Sequence, residues 1–171
     1  PLRDGPAAAE ALDDPGFCRA LLALIATGGR APGTYGELRG TPTAAFAAGV
    51  AAAGTPRPVS VEQSNTSVVF GDTLIMKHFR HLHPGDNPDI EITRFLTEHT
   101  TFRHTPRLCG SLAYHDAAGE WAVAVAQELV RQARDGWSFV LERLAVGDPA
   151  LRGLERLGRV TAELHLALGS A

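Results

Sequence analysis

Four apolar runs and one capped helix follow one another between Val59 and Val130, and that order restricts the fold more than any other property of the chain. Val59 to Phe70 is strand-like, interrupted by Gln63-Ser64-Asn65-Thr66-Ser67. Gly71-Asp72 supplies a two-residue turn, and Thr73 to Phe79 returns as the second strand of a hairpin. Asn87 then offers a side-chain oxygen to the free amides of a helix start, and Pro88 sits at the first helical position, where a missing N–H does no harm. Ile92, Phe95 and Leu96 form the apolar stripe of that helix. Leu108 to Tyr114 and Glu120 to Val130, joined by a turn through Asp116 to Gly119, make a second hairpin. Trp121 to Ala126 is apolar on both faces, which predicts a central, covered strand.

The flanks are simpler. Phe17, Leu21, Leu24 and Ile25 recur at helical spacing, so Pro15 to Thr27 is a helix that Gly28-Gly29 ends. Arg30 to Pro58 is rich in Gly, Pro, Thr and Ala and reads as loops, with one short helix around Ala44 to Ala53. Asp135-Gly136-Trp137 starts a helix, and Leu151 to Leu168 forms another with Leu154, Leu157, Thr161, Leu164 and Leu168 on one stripe. Pro1 to Asp14 has no period. The missing initiator methionine reads as a processed or excised piece.

Composition excludes several classes. The 171 residues, 44% hydrophobic and 20% charged, suit one large or two small soluble domains and not a disordered chain. A net charge of −3 without a basic run argues against a general nucleic-acid binder. Ala44 to Ala53 is too short to span a bilayer, and no leader opens the chain, so a cytoplasmic protein without membrane partners is expected. Cys18 and Cys109 lack metal-ligand spacing and read as free thiols. His81 and His83 have no third ligand nearby and read as exposed loop residues.

Lys77 is the single lysine among 16 basic residues, and it lies inside the apolar run Leu74-Ile75-Met76-Lys77-His78-Phe79. Two uses fit: a plain surface-facing strand residue, or a compact ammonium held against a helix carboxylate to contact phosphate oxygens. Glu91, on one helical face with Phe95 and Glu98, is the first carboxylate candidate and Glu98 the alternative. Ser64-Asn65-Thr66-Ser67 is the candidate loop over the phosphates. Gln127-Glu128-Leu129-Val130, leaving the covered strand, offers backbone groups to an adenine edge. Strand, loop, strand with lysine, helix with carboxylate, then two strands is the order of the small lobe of a protein-kinase-like fold.

Three blocks carry a closer likeness: Glu62 to Asp72 with Leu74-Ile75-Met76-Lys77; Pro84 to Glu91 with Arg94-Phe95-Leu96; and Gln127 to Val130 with Asp135-Gly136-Trp137. Together they resemble the amino-terminal half of bacterial maltokinases, of the aminoglycoside-phosphotransferase and protein-kinase-like superfamily. The resemblance covers Val59 to Leu168. It implies an α+β fold: a kinase-like N-lobe of antiparallel sheet and helix over residues 59–148, preceded by a cap subdomain (1–58). Residues 149–171 would begin a C-lobe otherwise absent from the chain. It further implies ATP as cosubstrate, Mg2+ with ligands outside this chain, and maltose as phosphoryl acceptor feeding α-glucan and glycogen synthesis, with trehalose synthase as a partner. Lys77 would bind phosphate, Glu91 would hold it, Ser64, Asn65, Thr66 and Ser67 would form the phosphate loop, and Gln127, Glu128 and Val130 the adenine hinge. The family's His-Gly-Asp catalytic loop has no counterpart, because His83-Pro84-Gly85-Asp86 precedes the helix. The chain alone is therefore expected to be inactive, and the competing expectation is a non-catalytic module that binds a protein partner or a nucleotide.

Overall fold

The computed structural model describes residues 11–46, 54–61, 65–147 and 151–170, organised by a seven-stranded antiparallel sheet with helices. In chain order, α1 is Pro15–Thr27, β1 Arg30–Pro32, β2 Gly36–Pro42, β3 Pro56–Val61, β4 Asn65–Phe70, β5 Leu74–Phe79, α2 Pro88–Glu98, β6 Leu108–Asp116, β7 Gly119–Glu128, α3 Gly136–Ala145 and α4 Leu151–Leu168. The strands lie in the order β1-β2-β6-β7-β5-β4-β3. The α+β class expected from the sequence holds.

Local chemistry sets the helix ends. Asp14 caps α1 by accepting the Gly16 amide at 2.7 Å, and Gly28 stops it in the left-handed region at φ 61°. Asn87 caps α2 by accepting the Asp89 amide at 2.9 Å, with Pro88 at the first helical position. Asp135 caps α3 by accepting the Ser138 amide at 2.6 Å.

Each face of the sheet has its own helix. On β5 the side chains alternate: Leu74, Met76 and His78 are buried on one face, and Ile75, Lys77 and Phe79 are half-buried on the other. The first face joins Val68, Phe70, Leu112, Ala124 and Ala126 and is closed by Cys18, Leu21, Leu22 and Ile25 of α1. Burying each of these Leu and Ile side chains contributes roughly 1.5–3 kcal/mol. The second face carries α2, fastened by polar contacts along the helix. Thr93 Oγ1 accepts from Gln127 Nε2 at 3.5 Å, Arg94 Nη2 donates to Ser111 Oγ at 3.2 Å, and Thr97 Oγ1 accepts the Leu108 amide at 2.9 Å. Both cysteines are free and buried.

Two expectations need correction. Arg30 to Pro58 is not simply loops: β1 and β2 form a hairpin, β2 pairs with β6, and β3 runs through the boundary expected at residue 58. The sheet is therefore continuous across it. The short helix expected around Ala44 to Ala53 falls mostly outside the described residues. Ile92, assigned to the inward stripe of α2, is 46% exposed, and Leu96 is the buried residue of that helix. On α3 and α4, Trp137, Leu144, Leu157 and Leu166 are exposed. Among the described residues no helix is long and apolar enough to cross a membrane.

Contact between α1 and the sheet depends on Gly40. A Cβ there would lie 2.1 Å from the Leu24 carbonyl oxygen and 2.6 Å from the Ile25 amide nitrogen, both backbone atoms of α1. Gly40→Ala should lower unfolding stability by roughly 3 kcal/mol or more, since helix and strand must separate. Gly158→Ala, on α4 with open space around it, should instead raise helix stability by roughly 0.5–1 kcal/mol. Chemical denaturation followed by circular dichroism separates the two, and equal effects would contradict this packing.

Candidate functional site

Lys77 stands at mid-strand on β5, opposite Ser67 on β4 and Val125 on β7. Its ammonium donates to Asp89 Oδ2 at 2.9 Å, with the two side chains 32% and 53% exposed, and lies 5.9 Å from the centre of the Phe79 ring. Asp89 is in the first turn of α2, where the helix N-terminus favours a carboxylate. The arrangement is a positively charged group on a strand, aimed by a helix carboxylate, at a partly open face of the sheet. Such a pair keeps the ammonium from wandering and leaves it two further N–H donors for an anionic ligand.

The expected partner of Lys77 is corrected: the carboxylate that reaches it is Asp89, and neither Glu91 nor Glu98 forms an ion pair with it among the described residues. The physical reason is helix phase. With Leu96 as the inward residue of α2, positions 89, 93 and 96 share the face over the sheet, and Glu91 is turned away from Lys77. Asp89 escaped notice because it sits beside the cap, where an acidic residue is also explained by the helix dipole.

The expected phosphate loop divides. Ser64 lies outside the described residues. Asn65, Thr66 and Ser67 are not loop residues but the start of β4. Asn65 and Thr66 are buried, and Thr66 Oγ1 accepts from Arg80 Nε at 2.9 Å. Ser67 shares the half-buried face of Lys77. The hinge candidates divide as well. Gln127 turns its side chain towards α2, as described. Glu128 is held by Arg107, whose Nε donates to Glu128 Oε1 at 2.9 Å, and this pairing draws the Glu128 carboxyl below its usual range. The amides of Glu128 and Leu129 are already donated to the carbonyls of Arg107 at 3.1 Å and Thr73 at 2.9 Å. They are not free for a ligand. Val130 follows the strand end and is 55% exposed. Among the described residues no group of three His, Cys, Asp or Glu side chains is placed to hold a metal ion, and His81 and His83 are exposed.

No protein-family model matches the chain. Over 121 residues it is 33% identical to a glucosamine kinase of Mycolicibacterium smegmatis, an alignment covering 65% of this chain and 30% of that protein. Over 143 residues it is 29% identical to a glucosamine kinase of Streptacidiphilus jiangxiensis, covering 76% and 33%. Among solved structures, a glucosamine kinase in complex with glucosamine, ADP and inorganic phosphate superposes with a TM-score of 0.64 at 25% identity, over 98% of this chain and 37% of that one. A second crystal form of glucosamine kinase gives 0.63 at 26%, over 91% and 38%. The chain spans about a third of the length of the curated relatives it matches. These findings overturn the resemblance to maltokinases, and with it maltose, α-glucan and glycogen synthesis and trehalose synthase. They give the non-catalytic module no support either. The motifs behind that resemblance lie around a strand lysine and a helix start.

Next to Lys77 on β5, His78 points the opposite way, into the core, 7% exposed and with Nε2 lacking a hydrogen-bond partner. Burial pushes its pKa down to about 4. The imidazole is therefore neutral near pH 7 and adds no charge beside Lys77. Below pH 6.5 the unfolded chain binds a proton that the folded chain refuses until about pH 4. Stability from this group is thus complete above pH 6.5 and is lost as pH falls through that window, by about 3 kcal/mol. Urea midpoints measured from pH 7 to 4 should fall more steeply for the wild type than for His78→Leu. Parallel profiles would show that His78 is not held neutral.

Proposed function

We propose that this chain supplies the nucleotide side of an ATP-dependent sugar kinase whose acceptor is an amino sugar of the glucosamine type. The observation that carries the proposal is the partly exposed Lys77–Asp89 pair between β5 and the first turn of α2. It is supported by likeness to a structure that binds glucosamine, ADP and inorganic phosphate. The order β3, β4, β5, α2, β6, β7 is also that of a protein-kinase-like small lobe. In this reading the Lys77 ammonium contacts phosphate oxygens of ATP, and Asp89 aims it. The hydroxyl of Ser67, across the ladder from Lys77, donates to the same phosphates. Val130, just past β7, lies where the adenine edge would meet the chain.

The chemistry is transfer of the terminal phosphoryl group: its bond to the ADP oxygen breaks, a bond to a sugar hydroxyl oxygen forms, and the hydroxyl proton departs. Negative charge on the phosphate oxygens is what Lys77 stabilises, and holding it in place beforehand is the contribution of Asp89. No residue of this chain is assigned to deprotonate the sugar. Mg2+ is the usual companion of ATP in such reactions, and no residue here is assigned to hold it.

In the complete protein, ADP release should depend on glucosamine and should not be supported by maltose. Lys77→Ala should lower kcat/KM by at least ~100-fold with the fold intact. Asp89→Asn should act through the lysine and raise KM for ATP by about tenfold, while Glu98→Gln on the same helix stays near wild type. Steady-state kinetics over ATP and sugar concentration read all three. Normal turnover in Lys77→Ala would sink the assignment.

A further inference from the structure

A cavity of about 550 Å³ lies against α2 where neither Lys77 nor Gln127 lines it. Its walls come from α2 and the residues just before it, β6, β7 and the end of α4, with Ile90 and Phe95 as apolar surface, Arg94 and Ser111 as donors, and Asp86, Glu91 and Glu120 as carboxylates. The volume is in the range of small-molecule sites.

The charge balance at Arg94 is unusual. Its Nη2 donates to Ser111 Oγ at 3.2 Å, but its buried Nε–H has no partner, and no carboxylate forms an ion pair with the guanidinium among the described residues. Arg94 is half-buried, and burying even part of a guanidinium without a counter-charge is unfavourable. Ser111 is itself only 7% exposed, and because its oxygen accepts from Arg94, its own O–H remains to be donated. Arginine and serine together present donors suited to an oxyanion. Asp86, Glu91 and Glu120 line the same cavity, and all three are exposed. They disfavour a simple anion and favour a ligand that also carries an ammonium group.

We infer that this cavity binds a small organic oxyanion bearing an amino group: the oxyanion on Arg94 and Ser111, the carbon skeleton against Ile90 and Phe95, and the ammonium towards Glu91 and Glu120. The site rests on the cavity alone. Only the choice of probe rests on the proposed kinase reading, because an amino-sugar phosphate has both groups and belongs to the product class of that reaction.

Isothermal titration of the full chain with glucosamine 6-phosphate, glucose 6-phosphate and glucosamine tests this without any turnover. Saturable one-to-one binding of the first is expected, with each of the other two weaker by at least about tenfold. Arg94→Gln should weaken glucosamine 6-phosphate by at least about tenfold, and Lys77→Ala should leave its binding unchanged. Glu91→Gln, at an exposed position that leaves folding intact, should weaken the amino probe and not glucose 6-phosphate. Absence of saturable binding to the wild type, or binding insensitive to both Arg94→Gln and Glu91→Gln, would overturn the site. Binding lost in Lys77→Ala and kept in Arg94→Gln would overturn it too, by moving the ligand to the nucleotide face. Failure here would leave the kinase reading standing, since that reading is decided by turnover.

Discussion

The alternation of side chains along β5 is the constraint on which both faces of the molecule depend. Because the period is two, Leu74, Met76 and His78 can enter the core only if Ile75, Lys77 and Phe79 face the other way. The core face buries an imidazole and therefore keeps it neutral; the other face presents an ammonium and therefore needs a carboxylate within reach. A slip of one residue would put Lys77 among Val68, Phe70 and Ile25, where its charge would go unpaired. Register, core and candidate site are thus set by one pattern, and α1 and α2 each cover the face that pattern assigns them.

How much was legible beforehand follows from which residues carry local signals. The hairpin turn at Gly71-Asp72, the caps Asn87 and Asp135, and the all-apolar run Trp121 to Ala126 state their structures within a few residues, and the elements they predict are present. The stretch from Arg30 to Pro42 does not. Gly36, Gly40 and Pro42 have poor strand propensity, so loops were the natural reading. Yet β2 is a strand because tertiary contact requires small residues there. A Cβ at Gly36 would lie 2.2 Å from the carbonyl oxygen of His115, and one at Gly40 would strike α1. Glycines that look like breakers in sequence are contact points in three dimensions, and only the partner strand and helix reveal which they are.

The site shows a finer version of the same limit. The sequence singles out Lys77 by its scarcity and its place in an apolar run, and it points to a helix carboxylate as partner. Choosing among Asp89, Glu91 and Glu98 required the phase of α2, which turns on whether Phe95 or Leu96 faces inward. Neighbouring helix positions differ by about 100°, so that one choice moves the partner from Glu91 to Asp89. The same rotation turns Glu91 towards the cavity beside α2. The motifs around Lys77 and α2 say nothing about a sugar, and maltose is overturned by likeness to glucosamine kinases alone.

The Lys77–Asp89 contact also differs in kind from the interactions that hold the fold. With the side chains 32% and 53% exposed, the pair contributes on the order of 1 kcal/mol or less to stability, because water screens it and two flexible side chains must be ordered. The apolar surface closed by α1 outweighs that several times over. Arg107–Glu128 offers an instructive contrast, since it pins the end of β7 to the strand entry of β6 through two guanidinium nitrogens, Nε and Nη2, and the Arg107 amide. Lys77 has one carboxylate partner at its ammonium and remains partly exposed. A charge so placed does little for folding, so its presence in a chain that otherwise uses arginine for every basic position is better explained by what approaches it from outside.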